Sequence, residues 1–373
     1  MKSNRPFRTS TCPICGEKKI FSEVIGACRN CLLSHPELQN QILKRHNEIR
    51  SLFKIPPSPQ KEGDVACGLC ANNCVLREGE RGVCGIRIAK DGEVSPLAGD
   101  EAIVDWYKDP LPTNCVADWV CPGCSGSGYP LYSHSPRAEI GYYNLAVFFG
   151  ACSFNCLFCQ NWHYRTLDRK RSVEELVEDV TERVSCICFF GGDPTPQLEF
   201  ALKSSELALK EREGKILRIC WETNGSVSRG KLEEMAELTL MSGGCIKIDI
   251  KAWTGEVYFA LTGTKARDRV FENFAFLARY IRKRPDPPFL IASTLLVPGY
   301  VDEEEVEGIA KFIASLDKNI PFALLAFYPC FQMTDLPTTS RKHAMRCLEK
   351  AKEAGLTNVR IGNVHLLSPS DYK

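Results

Sequence analysis

From about residue 140 onward, short apolar or β-branched runs alternate with longer stretches whose apolar residues recur at helical spacing. The runs Leu145–Phe149, Cys186–Phe190, Leu217–Trp221, Ile246–Ile250, Leu290–Val297 and Phe322–Phe327 read as strands. Between and after them, helices are expected over 172–183, 197–213, 228–241, 267–284, 303–316 and 340–354. Ser172 and Glu175 form a capping-box pair at the first, and Gly355 is placed to end the last. Near-continuous apolar strands alternating with helices predict an α/β fold with a parallel sheet covered by helices. Periodicity alone does not decide between an open sheet and a barrel.

The first 140 residues have another texture. A polar helical stretch covers 36–53, and Pro56-Pro57-Ser58-Pro59 reads as a linker. Residues 61–135 are rich in Cys and Gly, with strand-like pieces and turns. Three parts are therefore expected: 1–60, 61–139 and 140–373.

Composition narrows the class. Of 373 residues, 44% are hydrophobic and 25% charged, enough for a sizeable core. The net charge of +1 excludes a strong field for nucleic acid or an anionic membrane surface. No apolar run reaches the roughly 18 residues of a membrane span, and the N-terminus has no apolar segment of the secretory kind. A cytoplasmic protein is expected. In a reducing compartment, 20 cysteines point to metal ligation rather than disulfides. Fourteen of them precede residue 160, and five C-x-x-C pairs occur there.

Three of these, Cys152, Cys156 and Cys159, lie within eight residues directly after the first core strand. Ligand sites of α/β folds lie at this end of the strands. Three thiolates can hold three irons of a [4Fe–4S] cluster and leave the fourth open, whereas a closed zinc site wants a fourth ligand in the loop. The bland alternative is three buried free thiols.

The C-x3-C-x2-C spacing, with Phe158 before the third cysteine, resembles the signature of the radical S-adenosylmethionine (SAM) superfamily. Phe189-Phe190-Gly191-Gly192-Asp193-Pro194, Trp221-Glu222-Thr223-Asn224-Gly225, Asp249-Ile-Lys251 and Leu295-Leu-Val-Pro298-Gly299 follow successive strands. They resemble motifs of the pyruvate formate-lyase activating enzymes. From about residue 61 the chain is similar to the radical SAM protein of the AmmeMemoRadiSam system. That likeness rests on Cys67-x2-Cys70-x3-Cys74-x9-Cys84-Gly-Ile-Arg87, Pro130-Leu-Tyr132-Ser-His134, Met333-Thr-Asp335-Leu-Pro337 and Gly355-x6-Gly362-Asn363.

The resemblance implies a partial (β/α)6 barrel of the TIM type. It implies a [4Fe–4S] cluster on Cys152, Cys156 and Cys159, and SAM chelated to the open iron. Reductive cleavage would yield a 5′-deoxyadenosyl radical that abstracts hydrogen. Gly191, Gly192, Asp193, Glu222, Thr223, Asn224, Asp249 and Lys251 would contact SAM. Asp193 stands where the superfamily more often has Glu, and Glu222 where the activating enzymes usually have Asp; a cation site beside SAM is therefore left open. A strand-end ion pair of Glu222 or Asp249 with Lys251 is the bland reading of these charges. A macromolecular, protein substrate and a reduced flavodoxin- or ferredoxin-type donor are implied. A peptide or lipid substrate is the enzymatic alternative, and a non-catalytic zinc-ribbon or iron–sulfur binding protein the alternative of another class. A nucleic-acid partner is not expected, since Lys18, Lys19 and Arg29 form no extended basic stripe.

Cys12-x2-Cys15-x12-Cys28-x2-Cys31 has the spacing of a zinc ribbon, which either recognises a partner or simply folds the N-terminus. Cys67, Cys70, Cys74 and Cys84, and then Cys115, Cys121 and Cys124, supply seven further ligands for a second zinc or an auxiliary iron–sulfur cluster. Zinc is the preferred reading, and His134 a candidate fourth ligand for the group of three. Cys186, Cys188, Cys220, Cys245 and Cys347 read as small core residues. His163 reads as a surface histidine, and Cys330 as a buried thiol on the active-site side.

Overall fold

The computed structural model describes residues 9–113 and 115–372. Its centre is a nine-stranded sheet. In chain order the strands are β1 (Ala102–Pro110), β2 (Tyr143–Phe149), β3 (Lys170–Arg171), β4 (Val184–Phe190), β5 (Arg218–Thr223), β6 (Ile246–Asp249), β7 (Leu290–Leu296), β8 (Phe322–Ala326) and β9 (Val359–Gly362). The spatial order is β9-β8-β7-β6-β5-β4-β2-β1-β3. The seven strands from β2 to β9, leaving out β3, run parallel, as apolar βα units require. β1 adds antiparallel to β2, and β3 to β1.

The sheet curls. Seven strands about 4.8 Å apart would span about 29 Å if flat. Yet residues beyond the ends of β2 and β4 to β6, near the ends of β7 and β8, and just past β9 line one cavity. Because β9 pairs only with β8, closure is incomplete among the described residues. This is the partial barrel that the resemblance implies.

Helices cover the outside. They include α1 (Arg29–Ser34), α2 (Leu38–Leu52), α3 (Val173–Glu178), α4 (Leu198–Glu211), α5 (Arg229–Ser242), α6 (Gly255–Thr262), α7 (Arg267–Ala278), α8 (Glu303–Leu316) and α9 (Arg341–Glu353). The Ser172–Glu175 capping box forms at α3, with both reciprocal hydrogen bonds present. Asp302 caps α8 by accepting from the Glu304 and Glu305 amides. The helix expected over 267–284 ends at Ala278 and continues only as a short 3-10 turn, Ile281–Lys283.

The lumen is filled from below by residues 115–126. Ala117 is fully buried there against Cys188, Cys220, Cys245 and Ile291. Beneath it, Arg218 and Glu139, neither exposed at all, form a two-pronged ion pair at 2.7 and 2.8 Å. Arg218 also donates to the Tyr132 carbonyl, while Glu139 accepts from the Ser133 hydroxyl and the His134 amide. The Pro130–His134 stretch thus fastens to the base of the barrel.

The N-terminal segment lies against this body. The Ser22 amide donates to the Tyr300 hydroxyl, and the Ser22 hydroxyl and Glu23 amide donate to Asp335. Arg29 reaches Asp302, Glu304 and the fully buried Glu305. These ties give the segment a structural role in docking. No helix of the described residues is long and apolar enough to cross a membrane.

Candidate active site and metal centres

The cavity at the carboxyl ends of the strands has a volume of about 330 Å³. Cys152, Cys156 and Cys159 line it from the loop after β2. Burial pushes the Cys152 and Cys156 thiols up to about 12, and Cys159 up to about 11. Such thiols keep their protons unless a metal displaces them. The Phe154 amide, 3.4 Å from the Cys152 sulfur, and the Asn224 side chain, 3.8 Å away, both point N–H groups at it.

The glycines after β4 sit at φ of +63° and +68°. A Cβ on Gly191 would come within 2.0 Å of Phe148, and one on Gly192 within 2.3 Å of the Phe149 carbonyl. The chain's own packing therefore demands glycine there, before any ligand is considered. The Gly191 carbonyl already accepts from the Phe149 amide.

Asp193 is buried and faces its own chain. Its Oδ1 accepts from the Thr195 amide, and its Oδ2 from the Thr223 hydroxyl and the Asn224 amide at 3.0 and 2.8 Å. Burial raises its pKa despite these donors. Asp193 thus ties the loop after β4 to the loop after β5. Asn224 carries the tie onward by donating to the Ser153 hydroxyl. The shorter Asp, where Glu is more usual, fits this internal bridge.

The strand-end pair of Asp249 with Lys251 forms as expected, whereas Glu222 pairs elsewhere. Lys251 and Asp249 form an ion pair, while Asp249 Oδ1 is buried with no partner. Glu222 pairs at 2.5 Å with Lys247, which the sequence reading had left inside a strand. Lys247 is 2% exposed and lies 3.0 Å from Cys115 and 3.6 Å from Cys188. Burial lowers its pKa, but the surrounding thiols and Glu222 outweigh burial and hold it protonated.

Two further groups escaped the sequence reading because their neighbours are far away in the chain. The guanidinium of Arg165 is buried and none of its three nitrogens has a partner. It lies over the rings of Phe53, Tyr164 and Phe331 at 4.8 to 5.4 Å, within electrostatic reach of all three loop cysteines. The Tyr258 hydroxyl is also buried and unpartnered, close enough to Cys156 for that thiol to raise its pKa. Several orphaned polar groups around one set of thiols are what a polar, anionic occupant would satisfy. On α2, His46 Nδ1 accepts from the Asn155 side-chain amide of the cysteine loop at 3.0 Å, and just past the helix Phe53 packs on Trp162 and Phe331. His163 is exposed and stacks on Trp162. The half-buried Cys330 sits 3.6 Å from the Cys159 carbonyl.

The remaining cysteines separate by geometry. Cys12, Cys15, Cys28 and Cys31 converge, with Cys12–Cys31 and Cys15–Cys28 sulfurs 3.9 Å apart and Cys28–Cys31 3.6 Å apart. Four thiolates about 2.3 Å from one tetrahedral ion would be about 3.8 Å apart. Cys67, Cys70, Cys74 and Cys84 border a second, smaller cavity. Cys121 has Cys115, Cys124 and Cys220 as its sulfur neighbours. His134 instead stacks on Tyr142 beside Glu139 and Arg218. Cys186, Cys188, Cys220 and Cys245 are buried as expected, but topology gathers them around the plug, with Cys188 opposite Cys220 in register and Cys220 3.9 Å from Cys245.

With this geometry in hand, comparison with known proteins is informative. Residues 146–313 match the family model of the Radical SAM superfamily. An uncharacterized protein of Methanocaldococcus jannaschii is 27% identical over 313 residues, covering 81% of this chain and 82% of its own. A putative glycyl-radical enzyme activating enzyme of the same organism is 28% identical over 184 residues, or 47% of this chain and 64% of that protein. Among solved structures, anSMEcpe with bound AdoMet aligns with a TM-score of 0.40 at 15% identity, over 56% of this chain and 60% of that one. The family implies SAM and a [4Fe–4S] cluster. Residues 146–313 thus match the radical SAM superfamily, and the chain's relatives include a putative glycyl-radical enzyme activating enzyme.

Proposed function

We propose that Cys152, Cys156 and Cys159 hold a [4Fe–4S] cluster with one open iron, and that SAM binds beside it in the strand-end cavity. When bound, the pair supplies a 5′-deoxyadenosyl radical by one-electron reduction of the sulfonium, and that radical abstracts a hydrogen atom from substrate. One observation carries the reading. Three thiols of a single loop, Cys156 buried and Cys152 and Cys159 half-buried, share their cavity with an unpartnered carboxylate oxygen of Asp249, and an unpartnered guanidinium, that of Arg165, lies beside them.

The chain's own residues then have distinct tasks. Arg165, sealed under three aromatic rings, offsets the negative charge of the thiolates. Asn224 and the Phe154 amide orient the Cys152 sulfur. Asp249 and Lys251 offer a carboxylate oxygen and ammonium hydrogens to the charged ends of SAM, as does the backbone at Gly191 and Gly192. Thr223 is already committed to Asp193, so both act by positioning. Glu222, neutralised by Lys247, closes the floor.

The substrate is a protein, the reading that the name of the activating-enzyme relative favours, and the electron comes from a reduced flavodoxin or ferredoxin. The four N-terminal thiols take zinc, whose bond length fits their separations. Anaerobically reconstituted protein with dithionite and SAM should form 5′-deoxyadenosine. Cys156→Ala should form none; equal yields from variant and wild type would overturn the proposal. A stable radical on a co-incubated partner chain, seen by electron paramagnetic resonance, would identify a protein substrate.

A further inference from the structure

Cys67, Cys70, Cys74 and Cys84 come from two β-hairpins and the turns joining them. The first hairpin pairs Val65–Ala66 with Val75–Leu76 and the second pairs Arg87–Lys90 with Glu93–Pro96. Their side chains border one small cavity, with Gly82 and Arg87 among its other walls. This chain contains its own standard of comparison. In the N-terminal ribbon all four sulfurs lie within 4.8 Å of one another. Among the described residues no other group of three or more cysteines does so, and this excludes any three of Cys67, Cys70, Cys74 and Cys84. A single tetrahedral ion would need sulfurs about 3.8 Å apart. The four ligands of a cubane cluster stand off from one another by about 6 Å, because the cluster core lies between them. The sulfurs here surround a gap instead of meeting at a point.

Two further observations say that the gap takes an anionic group. Backbone amides lie close enough to favour thiolates: Asn72 beside Cys70, Val83 beside Cys74, and Ile86 and Arg87 beside Cys84. Amides so placed stabilise thiolates and cluster sulfurs. Arg50, on α2, is 3% exposed and donates only to the Val83 carbonyl, at 2.8 Å. No carboxylate of the described residues lies within ion-pair distance of it; its ionisable neighbours are Tyr164, Arg165 and the sulfurs of Cys152 and Cys84. A buried cation needs compensation, and charged cysteine sites on either side supply it. Arg87, by contrast, is already neutralised by Glu199 at 3.0 Å. The two sites also touch. The Asn72 side chain donates to the Ser153 carbonyl at 2.6 Å and lies 3.7 Å from the Cys70 sulfur.

We infer that Cys67, Cys70, Cys74 and Cys84 bind a second [4Fe–4S] cluster, with all four irons ligated by the protein, rather than the zinc that the sequence spacing favoured. The site stands on its own residues and does not depend on the proposed function of the Cys152 loop.

The test counts iron, acid-labile sulfide and zinc per chain after anaerobic reconstitution. The wild type should hold about twice the iron of either of two variants. One is the triple variant Cys152→Ala, Cys156→Ala, Cys159→Ala. The other is the double variant Cys70→Ser, Cys84→Ser. Zinc should stay equal in all three proteins. Adding SAM to the reduced double variant should change its electron paramagnetic resonance signal; adding it to the triple variant should not. A triple variant that folds, by circular dichroism, yet holds no iron and a second zinc would overturn the inference. Wild-type protein with one cluster's worth of iron, all of it lost in the triple variant, would overturn it equally. Iron in the triple variant but not in the wild type's SAM-responsive signal would support the second cluster while counting against the function proposed above.

Discussion

Glu139→Gln is the sharpest test of how the barrel is held closed at its base. Glu139 and Arg218 are completely buried, and each carboxylate oxygen accepts one guanidinium N–H. Ser185 and the His134 amide add further donors at 2.6 and 2.8 Å. Burial by itself would raise the Glu139 pKa. The Arg218 hydrogen bonds and charge overcome this and hold it at about 2, against an ordinary 4.5. That difference corresponds to roughly 3 kcal/mol of stabilisation of the charged form. Breaking one member of a buried pair costs about 3–5 kcal/mol by a separate line of measurement. Glutamine keeps the shape, leaves no cavity, and turns an amide N–H₂ toward a guanidinium that has nowhere else to go. The expected loss is therefore about 3 kcal/mol at neutral pH, read by urea unfolding followed through tryptophan fluorescence. The sign with pH follows from a depressed carboxylate pKa. The contribution is complete above about pH 4.5 and is lost as pH falls toward 2, so the gap between wild type and Glu139→Gln should narrow by about 1 kcal/mol between pH 6 and pH 4. Removing both charges, Glu139→Leu with Arg218→Met, should restore most of the loss. A single-variant cost below about 1 kcal/mol, or a gap that does not change with pH, would refute the reasoning.

Other expectations follow from the same geometry. Arg165→Met keeps the apolar stack and deletes the charge; 5′-deoxyadenosine formation should fall at least about tenfold, and an unchanged rate would remove Arg165 from the site. Lys247→Met strands Glu222 beside the Cys115 and Cys188 thiols and should cost about 2–4 kcal/mol in unfolding, with Glu222→Gln added to it recovering part; a neutral single variant would contradict the pairing. Cys28→Ser should lower zinc by one ion per chain and leave iron unchanged, and loss of iron alone would show the ribbon to be an iron site.

The core strands were legible because β-branched, apolar runs of five to eight residues have few other uses. β1 was not, although buried Ala102, Val104 and Trp106 alternate along it; it follows a cysteine-rich stretch and ends in charged residues, which masks the period. α6 was missed for the opposite reason. Its residues from Val257 to Thr262 are all buried, so it shows no amphipathic rhythm. The loop cysteines, the glycines and the strand-end charges could be named in advance, since spacing marks them. Their partners could not. Lys247 meets Cys115 from 132 residues away, and Asn155 meets His46 across 109. The grouping of Cys188, Cys220 and Cys245 needed the register of neighbouring strands. Likewise, α2 reads as a polar helix, and nothing in its sequence says that His46, Arg50 and Phe53 face the cysteine loop.

That placement of α2 has a consequence for biosynthesis. The ribbon and α2 leave the ribosome before the strands that carry the Cys152–Cys159 loop. In the folded protein His46 and Arg50 form a wall beside the Cys152–Cys159 loop. One wall of that loop is thus supplied by a helix 109 residues upstream of it. A displaced α2 would therefore disturb the cysteine loop without any change in the loop's own sequence.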